Sequence, residues 1–382
     1  MEVTVRQVTC RRDLKKFIFL PEKIHAHHRN WLPPIYLDEW SYFDPEKNKA
    51  FAHCDTTLLL ALRGSEIVGR IMGIIDRRHN RLKSKKDARF ACLESFEEDD
   101  AVLKPLLESV ENWARGKGMD RIVGPFGFSD QDPSGFLIEG FEHPPTISTY
   151  YNYDWMPRAL ELRGYEKEID YVTYRIEWPA DFPDRYCRMY DRILKRGSLE
   201  IVRIYKKKEA RIWAKPAFRL MNESYAEEEI YGFSPLDDEE MDLLLRRYMS
   251  LVDSRFLLGV KKKNELLGFV IGIPDFSPGI RRARGRFLPF GFLKILLSMK
   301  KAEQLVLLLG AIKKEYRGLG IDLLLMMELW KSSRKAGMRV VDTHHQMETN
   351  RKMRAVSEWA GGTVYKRHRV YRKDLGKNRS GS

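Results

Sequence analysis

The chain is written twice, and this repeat limits the folds open to it more than any single motif does. The stretch Glu66-Ile67-Val68-Gly69-Arg70-Ile71-Met72-Gly73-Ile74 returns as Glu265-Leu266-Leu267-Gly268-Phe269-Val270-Ile271-Gly272-Ile273. Each follows a short apolar run, at 58–62 and at 256–260, across a polar turn, so each pair reads as a β-hairpin. Gly118-Met119 closes a helical pattern ahead of a strand at 121–123, and Gly337-Met338 does the same ahead of 339–341. A third echo is a glycine leading a strand that ends in tyrosine, Gly164 to Tyr174 and Gly361 to Tyr371. The spacing between echoes widens and then narrows, as expected for one insertion within 275–303 and another within 124–155. The 382 residues suffice for two ordinary cores. We expect two homologous α/β domains, each an α+β arrangement on a mixed sheet, at 1–180 and 181–376, joined near 178–183 and followed by a tail at 377–382.

Each copy runs hairpin, strand, helix, strand, helix, strand. In the first, Asp99-Asp100 can start a helix whose Leu103, Leu107, Val110 and Ala114 share one face. In the second, 323–330 is apolar on nearly all sides, which predicts a helix buried between other elements. With 43% hydrophobic and 32% charged residues, the chain has the balance of a soluble globular protein. Its +14 charge, concentrated in clusters such as Lys206 to Lys208, Lys261 to Lys263 and Arg281 to Arg286, either solvates loops and strand ends or attracts a polyanion. The four cysteines are scattered, which fits reduced thiols. Charges fill the N-terminus where a signal peptide needs an apolar core, and the apolar run from Phe287 to Met299 is too short to span a bilayer. A cytoplasmic location is expected.

The stretch 305–330 carries the strongest chemical signal. An apolar strand leads into Lys313-Lys314, then Arg317-Gly318-Leu319-Gly320, then the apolar helix. A glycine-bearing turn at a helix N-terminus exposes free N–H groups and partial positive charge to an anion. The order strand, Arg317-Gly318-Leu319-Gly320-Ile321, helix, strand, Asn350, helix resembles the GNAT (N-acetyltransferase) superfamily, with Arg317 and Gly320 at two places of its coenzyme A signature. The wider layout resembles a bacterial group of tandem GNAT-like proteins of unassigned substrate. The resemblance implies acetyl-CoA or a longer acyl-CoA as co-substrate and an N-acyl transfer to an amine, with acyl-CoA on the second domain. It further implies that the backbone of Leu309, Gly310 and Ala311 bonds the pantetheine arm. The N–H groups of Arg317, Gly318, Leu319, Gly320 and Ile321 would cradle the pyrophosphate, and Asn350 would help hold the thioester end.

Two positions differ from that signature. Asp322 stands where the family has a small residue; its carboxylate either caps the helix or points away, leaving Lys313, Lys314 and Arg317 to the phosphates. Ser357 stands where the family often has a tyrosine general acid, and a serine hydroxyl gives up its proton too reluctantly for that task. In the first copy the equivalent turn, 94–100, has no glycine and five acidic residues, which would repel a pyrophosphate. That domain is expected to buttress the second rather than bind coenzyme A.

Other side chains have two readings each. Glu348, two residues before Asn350, is either the base that accepts the amine proton or a surface ion pair. His344 and His345, on a continuous strand, would point to opposite faces. His25, His27 and His28 lack a ligand-spaced partner, so no metal is expected. Tyr150 and Asn152, in a long glycine- and proline-bearing loop, either line a pocket for a small-molecule acceptor or pack the loop down. The basic and apolar insertion at 282–297 fits a membrane-surface contact, a flap over an acyl chain, or a helix on the domain seam. No groove-reading or stacking pattern points to nucleic acid. The rival to an enzyme is a GNAT-fold protein that has lost chemistry and serves as a ligand-binding or scaffold protein, at a membrane surface or free of one.

Overall fold

The computed structural model describes residues 2–96, 100–204, 207–248 and 252–376. Glu97, Glu98 and Asp99 of the acidic turn, Lys206 of a basic cluster and the tail at 377–382 fall outside the described residues.

The first copy opens with β1 (Val3–Gln7), α1 (Arg11–Ile24) and α2 (Tyr36–Tyr42). Its hairpin is β2 (Cys54–Arg63) and β3 (Glu66–Asp76), and α3 (Arg77–Lys83) leads to β4 (Asp87–Ser95). Then come α4 (Asp100–Gly116), β5 (Arg121–Gly124), β6 (Phe136–Glu139), α5 (Trp155–Glu161) and β7 (Glu166–Glu177). The second copy begins with α6 (Asp184–Gly197), β8 (Glu200–Arg203), α7 (Lys207–Glu227) and α8 (Asp238–Tyr248). Its hairpin is β9 (Leu257–Lys262) and β10 (Glu265–Pro274), followed by α9 (Ser277–Ala283) and α10 (Gly291–Lys300). It closes with β11 (Gln304–Ile312), α11 (Ile321–Lys335), β12 (Val340–Asp342), β13 (Gln346–Met347), α12 (Arg351–Trp359) and β14 (Thr363–Asp374).

The repeated glycines have a packing cause. A Cβ on Gly69 would stand 2.8 Å from Val102 and 3.0 Å from Leu106 of α4, and one on Gly268 would stand 2.8 Å from Ile321 of α11. Missing side chains on the hairpin's second strand let the central helix of each copy lie close against the sheet. Around that contact α4 buries Leu103, Leu106, Leu107, Val110 and Ala114 over Leu59, Ile71 and Phe90. In the other copy α11 buries every residue from Ile321 to Leu329 except the half-buried Asp322.

The compact units do not follow the order of the chain. One unit comprises 1–171, 277–296 and 366–382; the other comprises 172–276 and 297–365. In the first, the strands run β1-β2-β3-β4-β5-β14, so the last strand of the second copy completes it. Tyr371 pairs with Gly124 and Lys373 with Ile122, Tyr371 is fully buried, and Arg369 binds Asp170 at 2.8 and 3.1 Å. In the second the order is β7-β12-β11-β10-β9-β8, with Ile176 of β7 opposite Val341 of β12. The sequence copies have exchanged terminal strands. The insertion 277–296 also belongs to the first unit, where the Gly285 carbonyl accepts the Tyr36 N–H at 3.0 Å.

In both units a parallel pair comes apart early. β4 and β5 stay in register only from Asp87 opposite Arg121 to Arg89 opposite Val123. β11 and β12 do so only from Gln304 opposite Val340 to Val306 opposite Asp342. All four cysteines are free thiols.

Candidate functional site

Beyond Val306, β11 pairs only with β10 among the described residues. Leu309 faces Ile271, Gly310 faces Val270 and Ala311 faces Phe269, with a bulge at Leu308. The other edge of this stretch therefore offers backbone donors and acceptors to an extended ligand.

The strand ends in a tight turn. A 3₁₀ segment, Lys314–Tyr316, brings the chain to Arg317; Gly318 and Gly320 then take left-handed conformations, φ 74° and 90°, and α11 starts at Ile321. Only glycine adopts such angles without strain. A Cβ on Gly318 would meet nothing, whereas one on Gly320 would stand 2.4 Å from Ile193 Cδ1 of α6. At Gly320 packing thus adds to the conformational demand. The Arg317 and Leu319 N–H groups already bond Lys314 and Tyr316 carbonyls. Among the described residues, those of Gly318, Gly320, Ile321, Asp322 and Leu323 have no acceptor. Asp322 is half-buried and makes no hydrogen bond to the helix N-terminus, so its carboxylate leaves those donors open.

The basic side chains of the turn are engaged elsewhere. Arg317 donates from Nε to the Ile312 carbonyl at 3.0 Å and from Nη2 to Ser224 Oγ at 2.6 Å. It also pairs with Glu228 at 3.2 Å and Glu227 at 3.6 Å. Lys314 pairs with Glu227 at 3.6 Å, and Lys313 with Glu265. Glu227 and Glu228 sit at the C-terminal end of α7, where the helix dipole disfavours acids, so Lys314 and Arg317 stabilise that end. Arg317 is thereby a staple between β11, the turn and α7.

Asn350 belongs to the same network. Its Oδ1 accepts the Met353 N–H at 3.1 Å, capping α12, and its Nδ2 donates to Glu228 Oε2 at 3.1 Å. The structure thus brings Arg317 and Asn350 together through one carboxylate, a link invisible in the local sequence. Glu348, half-buried, lies just past β13, and its carbonyl accepts from Arg354 Nη1 at 3.1 Å.

The continuous strand expected through the histidines does not form. β12 stops at Asp342, whose carboxylate takes the His344 N–H at 2.6 Å and the Tyr365 hydroxyl. His344 adopts φ 55°, and the His344 and His345 rings lie 5.1 Å apart instead of on opposite faces. Ser357 is buried, exchanging hydrogen bonds with the Gln346 amide, so it ties α12 to β13. Tyr174, from β7, was not foreseen here. Its hydroxyl donates to Glu358 at 2.6 Å and accepts from Arg354 Nε at 3.0 Å, and burial raises its pKa.

Tyr150 and Asn152 lie in the other unit and are bonded to its loop. Asn152, 2% exposed, accepts the Leu137 N–H at 2.7 Å and donates to the Leu137 and Tyr153 carbonyls, extending the β6 edge. The Tyr150 hydroxyl accepts from the Cys92 N–H, and its carbonyl meets His368 Nε2 at 3.1 Å. The histidine cluster has a partner that the sequence hid: His25 Nε2 lies 2.9 Å from Glu94 and its Nδ1 3.1 Å from His28 Nδ1. Burial, then the neighbouring His25, lowers the pKa of His28. His53, Cys54 and Asp76 could gather ligand atoms within 4.8 Å, but Asp76 already caps α3 and lies 3.7 Å from Arg89.

No protein-family model matches the chain. It is 28% identical over 385 residues to the bacterial ceramide synthase of Caulobacter vibrioides, covering 98% of each protein. It is 26% identical over 379 residues to protein YghO of Escherichia coli, covering 97% of this chain and 95% of that one. Among solved structures, the tandem GNAT protein of the clavulanic acid biosynthesis pathway matches with a TM-score of 0.56 at 14% identity, over 98% of this chain and 99% of that one. A GCN5-related N-acetyltransferase from Sphaerobacter thermophilus matches with a TM-score of 0.52 at 12% identity, over 98% and 96%. These likenesses show the fold: mixed α/β, of the tandem GNAT type.

Proposed function

We propose that this chain, built on the tandem GNAT fold, transfers an acyl group from acyl-CoA on its 172–365 unit to an amine. The carrying observation is the open edge of β11 running into a turn whose five N–H groups have no acceptor. An amide-bearing arm such as pantetheine adds to a free strand edge as another strand would, and a pyrophosphate suits a helix N-terminus. In this reading Leu309, Gly310 and Ala311 bond the arm and orient the thioester carbonyl. The backbone from Gly318 to Leu323 holds the pyrophosphate, with Leu319, Gly320 and Ile321 inside that span. Arg317 and Asn350 act by fixing the turn and the start of α12.

The neutral amine attacks the thioester carbonyl carbon; the C–N bond forms and the C–S bond breaks. The amine proton passes to the Glu348 carboxylate or to water, and the coenzyme A thiolate takes a proton from water. With Ser357 tied to Gln346, most of the acceleration rests on placing amine and thioester together.

Whole-length similarity to a bacterial ceramide synthase supports a long-chain amino alcohol as acceptor and a long acyl chain as donor. Among the described residues no helix is long and apolar enough to cross a membrane, so a cytoplasmic enzyme would meet such an acceptor at a bilayer surface. Thiol release from palmitoyl-CoA tests this reading, with a long-chain 2-amino-1,3-diol compared against short amines. Release only with the long-chain acceptor supports it; no release with any pair counts against it. The second reading, a ligand-binding protein without chemistry, is favoured by the carboxylates that engage Arg317, Lys313 and Lys314. Acyl-CoA binding without turnover would select it.

A further inference from the structure

The 288–290 loop and most of α10, in the unit containing residues 1–171, form an exposed apolar protrusion. Leu288 is 72% exposed, Phe290 68%, Leu293 44% and Leu296 46%. Leu293, Leu296 and Leu297 follow the i, i+3, i+4 spacing of one helix face of α10, while Ile295 and Ser298 are buried on the other. The protrusion is held in place from below. Arg286 grips Glu22 of α1 with two hydrogen bonds of 2.9 Å, and Arg281 bonds the Asn30 carbonyl at 3.2 Å.

The surface beside it is cationic. Arg282 and Arg284 are exposed and, among the described residues, form no ion pair. Tyr36, which bonds Gly285, stacks on Phe19 at 4.4 Å. Phe19 lines a basin of about 660 Å³ whose other walls are Arg11, Arg12, Lys15 and Trp40. These three cations also form no ion pair among the described residues. Of the acids nearby, Asp13 is turned to Arg6 and Lys16, Asp44 pairs with Lys47 at 3.3 Å and also feels the charge of Arg11, and Asp38 and Glu39 share α2 with Trp40.

We propose that this surface docks the protein on an anionic phospholipid bilayer, α10 and the 288–290 loop entering the interface while the Arg11–Arg12–Lys15 basin takes a lipid phosphate. Exposed leucine and phenylalanine flanked by unpaired cations, with a tryptophan at the rim, is the composition an interfacial segment needs. At 10 residues α10 is far too short to span, which leaves the interfacial position. A second copy of the chain fits worse, because a two-fold contact through α10 would gather two sets of the exposed Arg282, Arg284 and Lys294 at one interface.

Vesicle co-sedimentation of the full chain tests this, with phosphatidylglycerol vesicles against phosphatidylcholine vesicles at low and high salt. Partitioning should favour phosphatidylglycerol and weaken with salt. It should fall about tenfold or more in Leu293→Glu/Leu296→Glu and about fivefold for each neutralised cation in Arg11→Gln/Lys15→Gln. Hydrogen exchange on the wild type, which needs no variant to fold, should slow across 287–297 when phosphatidylglycerol vesicles are added. Equal binding to both vesicle types, unchanged exchange at 287–297, or a wild-type dimer broken by the Leu293→Glu change would each overturn the proposal. Acyl transfer is not needed for any of these readouts.

Discussion

Two glycines of one turn, Gly318 and Gly320, should respond very differently to the same methyl group. Both are left-handed, so either alanine variant incurs about 1–2 kcal/mol of backbone cost. At Gly318 the new Cβ meets nothing, and the cost stops there. At Gly320 it lands 2.4 Å from Ile193 Cδ1, within the cluster where α6 meets α11. Overpacking of this kind costs about 1–3 kcal/mol, and the low end applies because Cδ1 is the far end of a side chain that can turn. Gly320→Ala should therefore lose about 2–3 kcal/mol in denaturant unfolding, with Gly318→Ala losing about half as much. Ile193→Val removes the contacting atom alone. In the double variant with Gly320→Ala about 1 kcal/mol should return relative to the sum of the single changes. Equal losses for the two alanines, or strict additivity with Ile193→Val, would refute the packing role given to Gly320.

Glu328 is buried under Tyr190, Arg203 and Lys331, with contacts of 2.6 to 2.9 Å. Burial alone would raise its pKa, but these hydrogen bonds and charges outweigh it and hold the pKa below the usual 4.5. Its contribution, about 2 kcal/mol, is complete above that value and lost as pH falls through the depressed one. Glu328→Gln should flatten the acid limb of a stability–pH curve, and an unchanged limb would contradict this. A fragment of residues 1–180 lacks β14 and the 277–296 insertion, so its circular dichroism should show no cooperative melt; a melt matching the full chain would refute the strand exchange. Asp322→Asn removes a carboxylate beside the open N–H groups. It should tighten free coenzyme A about two- to fivefold by calorimetry, whereas weakening would mean that Asp322 supports the turn.

Much of this architecture is legible in the repeat. Gly69 and Gly268 recur because a helix presses on each, and both hairpins form around them. The strand exchange is not legible. β7 and β14 carry the same terminal pattern, and nothing local in a strand states which sheet will accept it. The turn at 317–320 is readable because its signals, two glycines and a helix start, are local. The fate of Arg317 is not, since Ser224 lies 93 residues away. Glu94 is hidden from His25 by a separation of 69 residues, so the cluster reads as three isolated histidines. The histidine strand fails because the bonds that Asp342 accepts from His344 and Tyr365 end β12 early.

The central claim is that the Gly318–Leu323 backbone is an acyl-CoA phosphate site. Gly318→Asp tests it most directly, because the position opens onto empty space and aspartate tolerates left-handed angles better than most residues. The change sets a carboxylate beside the pyrophosphate site at no more folding cost than Gly318→Ala, which serves as its control. Calorimetric titration with acetyl-CoA and palmitoyl-CoA should show saturable binding to the wild type. Affinity should fall at least tenfold in Gly318→Asp relative to Gly318→Ala, with the two variants melting at similar temperatures. No binding to the wild type, or equal binding to both proteins, would contradict the account.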